Sequence, residues 1–233
     1  MSFNPQNIAI IGTSGAIGGA LTKLIREKYS NAMINTFSSK GSGNIDYQNE
    51  DTIARAAEMA SKNAPLDMVI AANGILHQAR ILPEKSLKDL SAEKFLHIFE
   101  ANAIVPALVA KHFLPKLNSD KPSRFAAFSA RVGSLSDNQL GGWYSYRASK
   151  AALNMIIKNA AIEIGRRNKG AVIVGLHPGT VDSNLSKPFQ ANVPAEKLFS
   201  PDYAAHKLLS VLENLTPEKS GKCFAWDGKE IMP

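Results

Sequence analysis

The stretch NIAIIGTSGAIGG, residues 7–19, decides the fold. Ile8 to Ile11 form an unbroken apolar run, the pattern of a strand buried on both faces. Gly12, Gly15 and Gly18 follow, and ALTKLIREKY, residues 20–29, continues with apolar residues at helical spacing. A strand, a glycine turn and a helix in this order suit a pyrophosphate. The glycines allow a tight turn and close backbone approach, and the amides of a helix N-terminus bind the anion. The pattern predicts a dinucleotide held by Gly12, Ser14, Gly15, Ile17 and Gly18. A glycine-rich turn that binds nothing is the plainer alternative.

The rest of the chain alternates in the same way. NAMINTF (31–37), LDMVIAANG (66–74), SRFAAFSA (123–130), GAVIVGLHPG (170–179) and KCFAW (222–226) read as strands. Residues 91–117 read as one long helix that Pro106 could kink, and helices are also expected over 145–166 and about 201–215. No repeat or linker interrupts them. The alternation predicts an α/β, Rossmann-like, doubly wound domain spanning residues 1–233, with a mostly parallel sheet of seven strands and helices on both faces. Right-handed crossovers then put the glycine loop, Asn73, Ser129 and the turn at Pro178-Gly179 along one edge.

An NAD site usually has an acidic residue about 20 positions beyond the glycines, to hold the ribose 2′-hydroxyl. Here the region reads Phe37-Ser38-Ser39-Lys40. It has no carboxylate to repel a 2′-phosphate, and two hydroxyls and a cation to bind one. NADP(H) is therefore expected over NAD(H).

Composition narrows the function classes. The 233 residues are 45% hydrophobic and 20% charged, ordinary for a soluble globular chain. No apolar stretch approaches the roughly 18 residues of a membrane span. The first strand begins near residue 7, which leaves no room for a signal peptide. One cysteine, Cys223, excludes an internal disulfide framework and fits the cytoplasm. The five histidines have no metal-ligand spacing, so no metal site is expected. The net charge is +7, but the 27 basic residues are scattered, and the densest group, Arg166 to Lys169, sits at a helix C-terminus. A nucleic-acid partner is not expected.

YSYRASK, Tyr144 to Lys150, opens the helix that continues as AALNMIIKNAAIEI. Tyr146 and Lys150 are four residues apart and share a helix face. A phenol beside an ammonium suggests a proton donor with a lowered pKa, since Tyr otherwise titrates near ~10. Tyr203 and Lys207 have the same spacing, without the glycine loop's context in its favour.

These residues, in this order, resemble the short-chain dehydrogenase/reductase family along nearly the whole chain. The carriers are GTSGAIG, AANG (71–74), Asn102 in EANAIVPAL, YRASK (146–150) and HPGTVDS (177–183). The run ARVGSLSDNQLGGWYSYRASKAALN and the ending FAWDGKEI are similar, more narrowly, to the bacterial C-factor subgroup, related to carbonyl reductases of the sniffer type. The resemblance implies reduction of a small ketone or aldehyde to an alcohol by NADPH. Tyr146 would give the proton, Lys150 would lower the Tyr pKa and hold the nicotinamide ribose, and Asn102 would hold a water linking Lys150 to solvent. It further implies Asp46 at the adenine edge, Asn73 with Gly74 as the stabilising Asn, and a backbone grip on the nicotinamide amide by Pro178, Gly179, Val181 and Ser183. Family members are often homodimers or homotetramers, so both states are open.

Two departures stand out. Ala16 occupies the place of the family's middle glycine, and Gly15 precedes it. The usual Ser-Ser before a segment ending in Gly is here Ser129-Ala130, with Ala130 at the catalytic position if Gly133 is the anchor. Ser129 is the first candidate to orient the carbonyl, and Ser134 the second. The departure supports a rival reading: a nucleotide-binding cell-signalling or redox-sensing protein with little turnover. Substrate choice is expected in the loop Asn184 to Phe199, placed like a lid, and Trp143 is expected to line the mouth or to pack at an interface.

Overall fold

A computed structural model describes residues 3–40, 43–78 and 81–233. The elements follow the predicted alternation. They run β1 (Asn7–Ile11), α1 (Ala16–Lys28), β2 (Met33–Phe37), α2 (Glu50–Ser61), β3 (Met68–Ala71), α3 (Ala92–Phe99), α4 (Val105–Phe113), β4 (Ser123–Phe128), α5 (Tyr144–Gly165) and β5 (Ala171–His177). β6 (Thr180–Val181), β7 (Leu198–Phe199), α6 (Pro201–Asn214), β8 (Cys223–Ala225) and β9 (Glu230–Ile231) complete the order.

Seven strands form one sheet in the order β2-β1-β3-β4-β5-β8-β9. All pairings are parallel except β8 with β9. The central strands are buried along their whole length, which is why they read as continuous apolar runs. Alternation sorts their side chains onto two faces. Ala9, Ile11, Val69 and Ala71 join a core with residues of α2, α4 and α5. Ile8, Ile10, Met68 and Ile70 join the opposite core with α1 and α6. After β2 the chain crosses back over β1 to build β3, so the strand order reverses between β1 and β3. Ligands of open α/β sheets bind outside the strand C-termini at such a reversal.

The single helix expected over 91–117 is four pieces, the last a short 3-10 turn, Leu114–Lys116. α3 gives way to a π-helical turn, Glu100–Ile104, and α4 begins at Val105. Val105 N–H bonds to Glu100 O, five residues back. Pro106 has no N–H to offer the carbonyl of Asn102, so the helix widens instead of kinking. α2 lies outside the helices expected from the sequence. Its signals were present: Asn49 accepts from Asp51 N at 3.1 Å, acidic residues fill the first turn, and Ile53, Ala56, Ala57 and Ala60 make the buried stripe. No described helix is long and apolar enough to cross a membrane.

Candidate active site

The glycine loop leaves β1 at the strand reversal. Gly12 has φ +88°, and its carbonyl lies 2.2 Å from where a Cβ on Gly18 would stand. Residue 18 must therefore be glycine if α1 is to start this close to the strand. α1 begins with Gly15 as its N-cap, with no side-chain cap and no acidic residue in the first turn. Its leading amides are open to an anion.

Ser14, Gly15, Ile17 and Gly18 line one side of a cleft of about 510 Å³. Asn73 and Gly74, from the end of β3, line it too, as do Ser129, Tyr146 and Lys150. Pro178, Gly179, Val181 and Ser183 close the far side. Residues more than a hundred positions apart thus meet at the strand C-termini. A second cavity, of about 420 Å³, adjoins it around Gly12, Ser14, Ser39, Tyr47 and Gln48. Asn73 Oδ1 and Tyr47 OH, on residues lining this cavity, are buried without a hydrogen-bond partner. A polar ligand there would satisfy both. The two cavities, the open helix N-terminus and the glycine cradle fit an extended dinucleotide.

Three predicted cofactor residues lie off these walls. Ser38 is buried, and its hydroxyl donates to the Lys40 carbonyl. Lys40 is exposed. Asp46 is exposed and accepts from Gln48 N at 3.0 Å, while Tyr47 and Gln48 face the cavity in its place. That turn opens α2 and draws the carboxylate to the backbone.

Lys150 is 3% exposed and donates to the Phe128 carbonyl at 2.8 Å. Its Nζ stands 5.7 Å from the centre of the Tyr146 ring. Burial lowers the ammonium from its ordinary 10.5 to about 8, and burial raises the Tyr146 phenol to about 12. The expected lowering of the Tyr146 pKa by Lys150 does not occur in this geometry. The ammonium faces the ring and a carbonyl rather than the phenol oxygen, so desolvation decides both shifts. Tyr146 is held protonated, as an acid must be before it donates.

Asn102 is wholly buried at the π-helical turn. It brackets Ile75: Oδ1 accepts from Ile75 N and Nδ2 donates to Ile75 O, both at 2.8 Å. A Cβ on Gly74 would stand 3.0 Å from Asn102 Oδ1 and 3.3 Å from Lys150 Nζ. Only a residue without a side chain fits between them. The side chain of Asn102 thus fixes the turn beside Lys150.

The two serine candidates separate clearly. Ser129 lines the cleft, and its hydroxyl donates to Asn154 Oδ1 of α5 at 2.6 Å. Ser134 is buried away from it, 3.2 Å from the Ser136 hydroxyl and accepting from Asp137 N at 3.1 Å. The loop does not fold back to bring Ser134 to the cleft. Ala130 also lines the cleft, without a hydroxyl. His177 lies there as well, with burial lowering it to about 4, and so neutral. Cys223 is a packed strand residue whose thiol burial raises to about 11.

The lid segment is tied down at both ends. β6 pairs with β7 across it, and His77 Nε2 lies 3.1 Å from Asn184 O. Phe189, within the lid, meets Trp143 edge to face at 5.1 Å. Trp143, expected at the mouth or at an interface, lines the cleft; the places of Phe189 and Asn154 follow only from the fold.

Comparison with known proteins agrees with this architecture. The chain matches the family described as short chain dehydrogenase over residues 6–194. It is 37% identical over 146 residues to the C-signal of Myxococcus xanthus, covering 63% of this chain and 82% of that one. It is 33% identical over 186 residues to the 1-hydroxy-2-glutathionyl-2-methyl-3-butene dehydrogenase of Rhodococcus sp. (strain AD45), covering 79% and 76%. Its fold matches the carbonyl reductase Sniffer of D. melanogaster with a TM-score of 0.81 at 21% identity, over 98% of this chain and 99% of that one. An NADPH-bound carbonyl reductase from chicken fatty liver also scores 0.81, at 23% identity and with the same coverage. The chain therefore belongs to the short chain dehydrogenase family.

Proposed function

We propose that this protein is an NADPH-dependent reductase of small ketones and aldehydes. The observation that carries the reading is the convergence of Tyr146, Lys150 and the open N-terminus of α1 on one cleft. NADPH, when bound, supplies the hydride to the carbonyl carbon. The glycine loop and the first amides of α1 hold the pyrophosphate. Ser39, at the cavity wall, and Lys40, next to it in the chain, would meet the 2′-phosphate, with no carboxylate between Phe37 and Lys40 to repel it. Pro178 and Gly179 offer backbone to the nicotinamide amide.

Tyr146 then gives its phenolic proton to the carbonyl oxygen, completing the alcohol. The phenolate left behind is stabilised by the Lys150 ammonium one helical turn away. Ser129 orients the carbonyl after release from Asn154.

The likeness to the C-signal of Myxococcus xanthus supports a second reading, a nucleotide-binding signalling protein with little turnover. One pair of measurements separates them. Titration with both cofactors should give NADPH the tighter binding, and NADPH oxidation at 340 nm should proceed with a panel of aldehydes and ketones. NADH bound at least tenfold tighter would reverse the cofactor assignment. NADPH binding with no turnover on any carbonyl would favour the signalling reading.

A further inference from the structure

The chemistry above leaves a buried acid near the cleft unused. Glu84, between β3 and α3, is 1% exposed. Its Oε2 accepts from Ser145 N at 3.2 Å, and its main-chain carbonyl accepts from Trp143 N at 2.5 Å. Its Oε1 is buried with no partner. One residue therefore grips the first turn of α5 from two sides, just ahead of Tyr146.

What it grips is strained. Trp143 has φ 51°, and it is the only non-glycine residue among those described with a positive φ. Side chains with a Cβ avoid that region, and such a residue stays there only when its surroundings hold it. The held indole bridges the proton donor and the lid. Its ring centre is 6.2 Å from that of Tyr146 and 5.1 Å from that of Phe189, both edge to face. Val132, Leu185 and Val193 continue the same wall.

The cleft carries little charge to match a charged substrate. Lys150 is the one Lys, Arg, Asp or Glu among its lining residues, and its ammonium is bonded to Phe128 O. His177 is neutral. A carboxylate or phosphate on the substrate would lose water here without gaining a partner.

We propose that the Glu84 side chain is a positioning group, fixing the first turn of α5 at Ser145 and through it the Trp143 ring against Phe189, so that the two rings form a wall selecting carbonyl compounds with a flat, uncharged apolar group. This rests on the reductase reading. The tests are Trp143→Ala, Glu84→Ala and Glu84→Gln, assayed with NADPH on benzaldehyde and on butanal. Trp143→Ala should lower kcat/KM for benzaldehyde about tenfold, mainly through KM, and for butanal less than about twofold. Glu84→Ala should give the same skew. Glu84→Gln, whose amide oxygen still accepts from Ser145, should restore the wild-type ratio. Equal losses on both aldehydes in Glu84→Ala, with a lowered Tm, would make Glu84 a stability residue only and overturn the proposal.

A turnover-independent arm keeps the two readings apart. Saturation-transfer NMR without cofactor should show benzyl alcohol bound at least about fivefold tighter than 1-butanol by wild type, and the preference lost in Trp143→Ala and Glu84→Ala. If wild type reduces neither aldehyde yet keeps this preference, the reductase reading fails and the wall stands. No preference in wild type overturns the wall itself.

Discussion

Tyr146 and Ser129 each do more in context than their residue types announce. The phenol is raised to about 12 by burial, so in the proposed reaction it would need Lys150 once the proton had left. Tyr146→Phe should reduce kcat at least about a hundredfold and leave NADPH affinity nearly unchanged, because only the proton donor is lost. Tyr203→Phe should be harmless. Tyr203 is 40% exposed on α6 and packs on Phe199 and Trp226, outside the cleft. Comparable losses at both tyrosines would rule out Tyr146 as the specific proton donor. Ser129→Ala should lower kcat/KM by roughly a hundredfold, the scale of losing one donor to a developing oxyanion. Ser134→Ala should change it less than about twofold. Steady-state rates of the two variants on one responsive aldehyde check this, and the reverse order would return the role to Ser134.

Among the elements, the π-helical turn at Glu100–Ile104 most directly shapes the site. Pro106 removes one helical hydrogen bond, the turn widens, and Asn102 is buried where it can hold Ile75 by both backbone groups. Those bonds shape the turn that carries Gly74 between Asn102 and Lys150. Asn102→Ala would leave Ile75 N–H and C=O unpaired in a half-buried turn. It should cost about 1–3 kcal/mol of stability and weaken cofactor binding in parallel, read by urea unfolding and NADPH titration. A variant with unchanged stability would show that Ile75 finds other partners. α1 works differently: its geometry follows from local sequence, since Gly18 is the only kind of residue that fits against the Gly12 carbonyl.

Over the whole molecule, burying the cation Lys150 leaves a mark on stability. Its folded pKa, about 8, lies below the ordinary 10.5. At this group the unfolded chain therefore holds more protons between those values, so its contribution to stability rises with pH across that window, while the buried Cys223 thiol, raised from 9.0 to about 11, opposes it in the upper part. Below about pH 8 the buried ammonium keeps its full desolvation cost. Tyr146, raised above its ordinary 10.0, opposes this only at higher pH. Relative to Lys150→Met, wild type should gain stability from pH 8 to 10, by at most about 3 kcal/mol; parallel curves in urea unfolding would refute the shift. By itself, the sequence determined the layered α/β fold, the strand-turn-helix that opens it, and the identity of Tyr146, Lys150 and the glycines. Those are matters of local periodicity, backbone sterics and residue type. It did not mark α2, although Asn49 and the small buried stripe were there to read, because alanines carry a weak apolar signal. Only the tertiary structure decided that Ser129 and not Ser134 reaches the cleft, that Asp46 turns to Gln48, and that burial outweighs charge in the Tyr146–Lys150 pair. Each depends on where a side chain ends up among residues far away in the chain, and on how much water that place excludes, which neighbouring residues in the sequence do not encode.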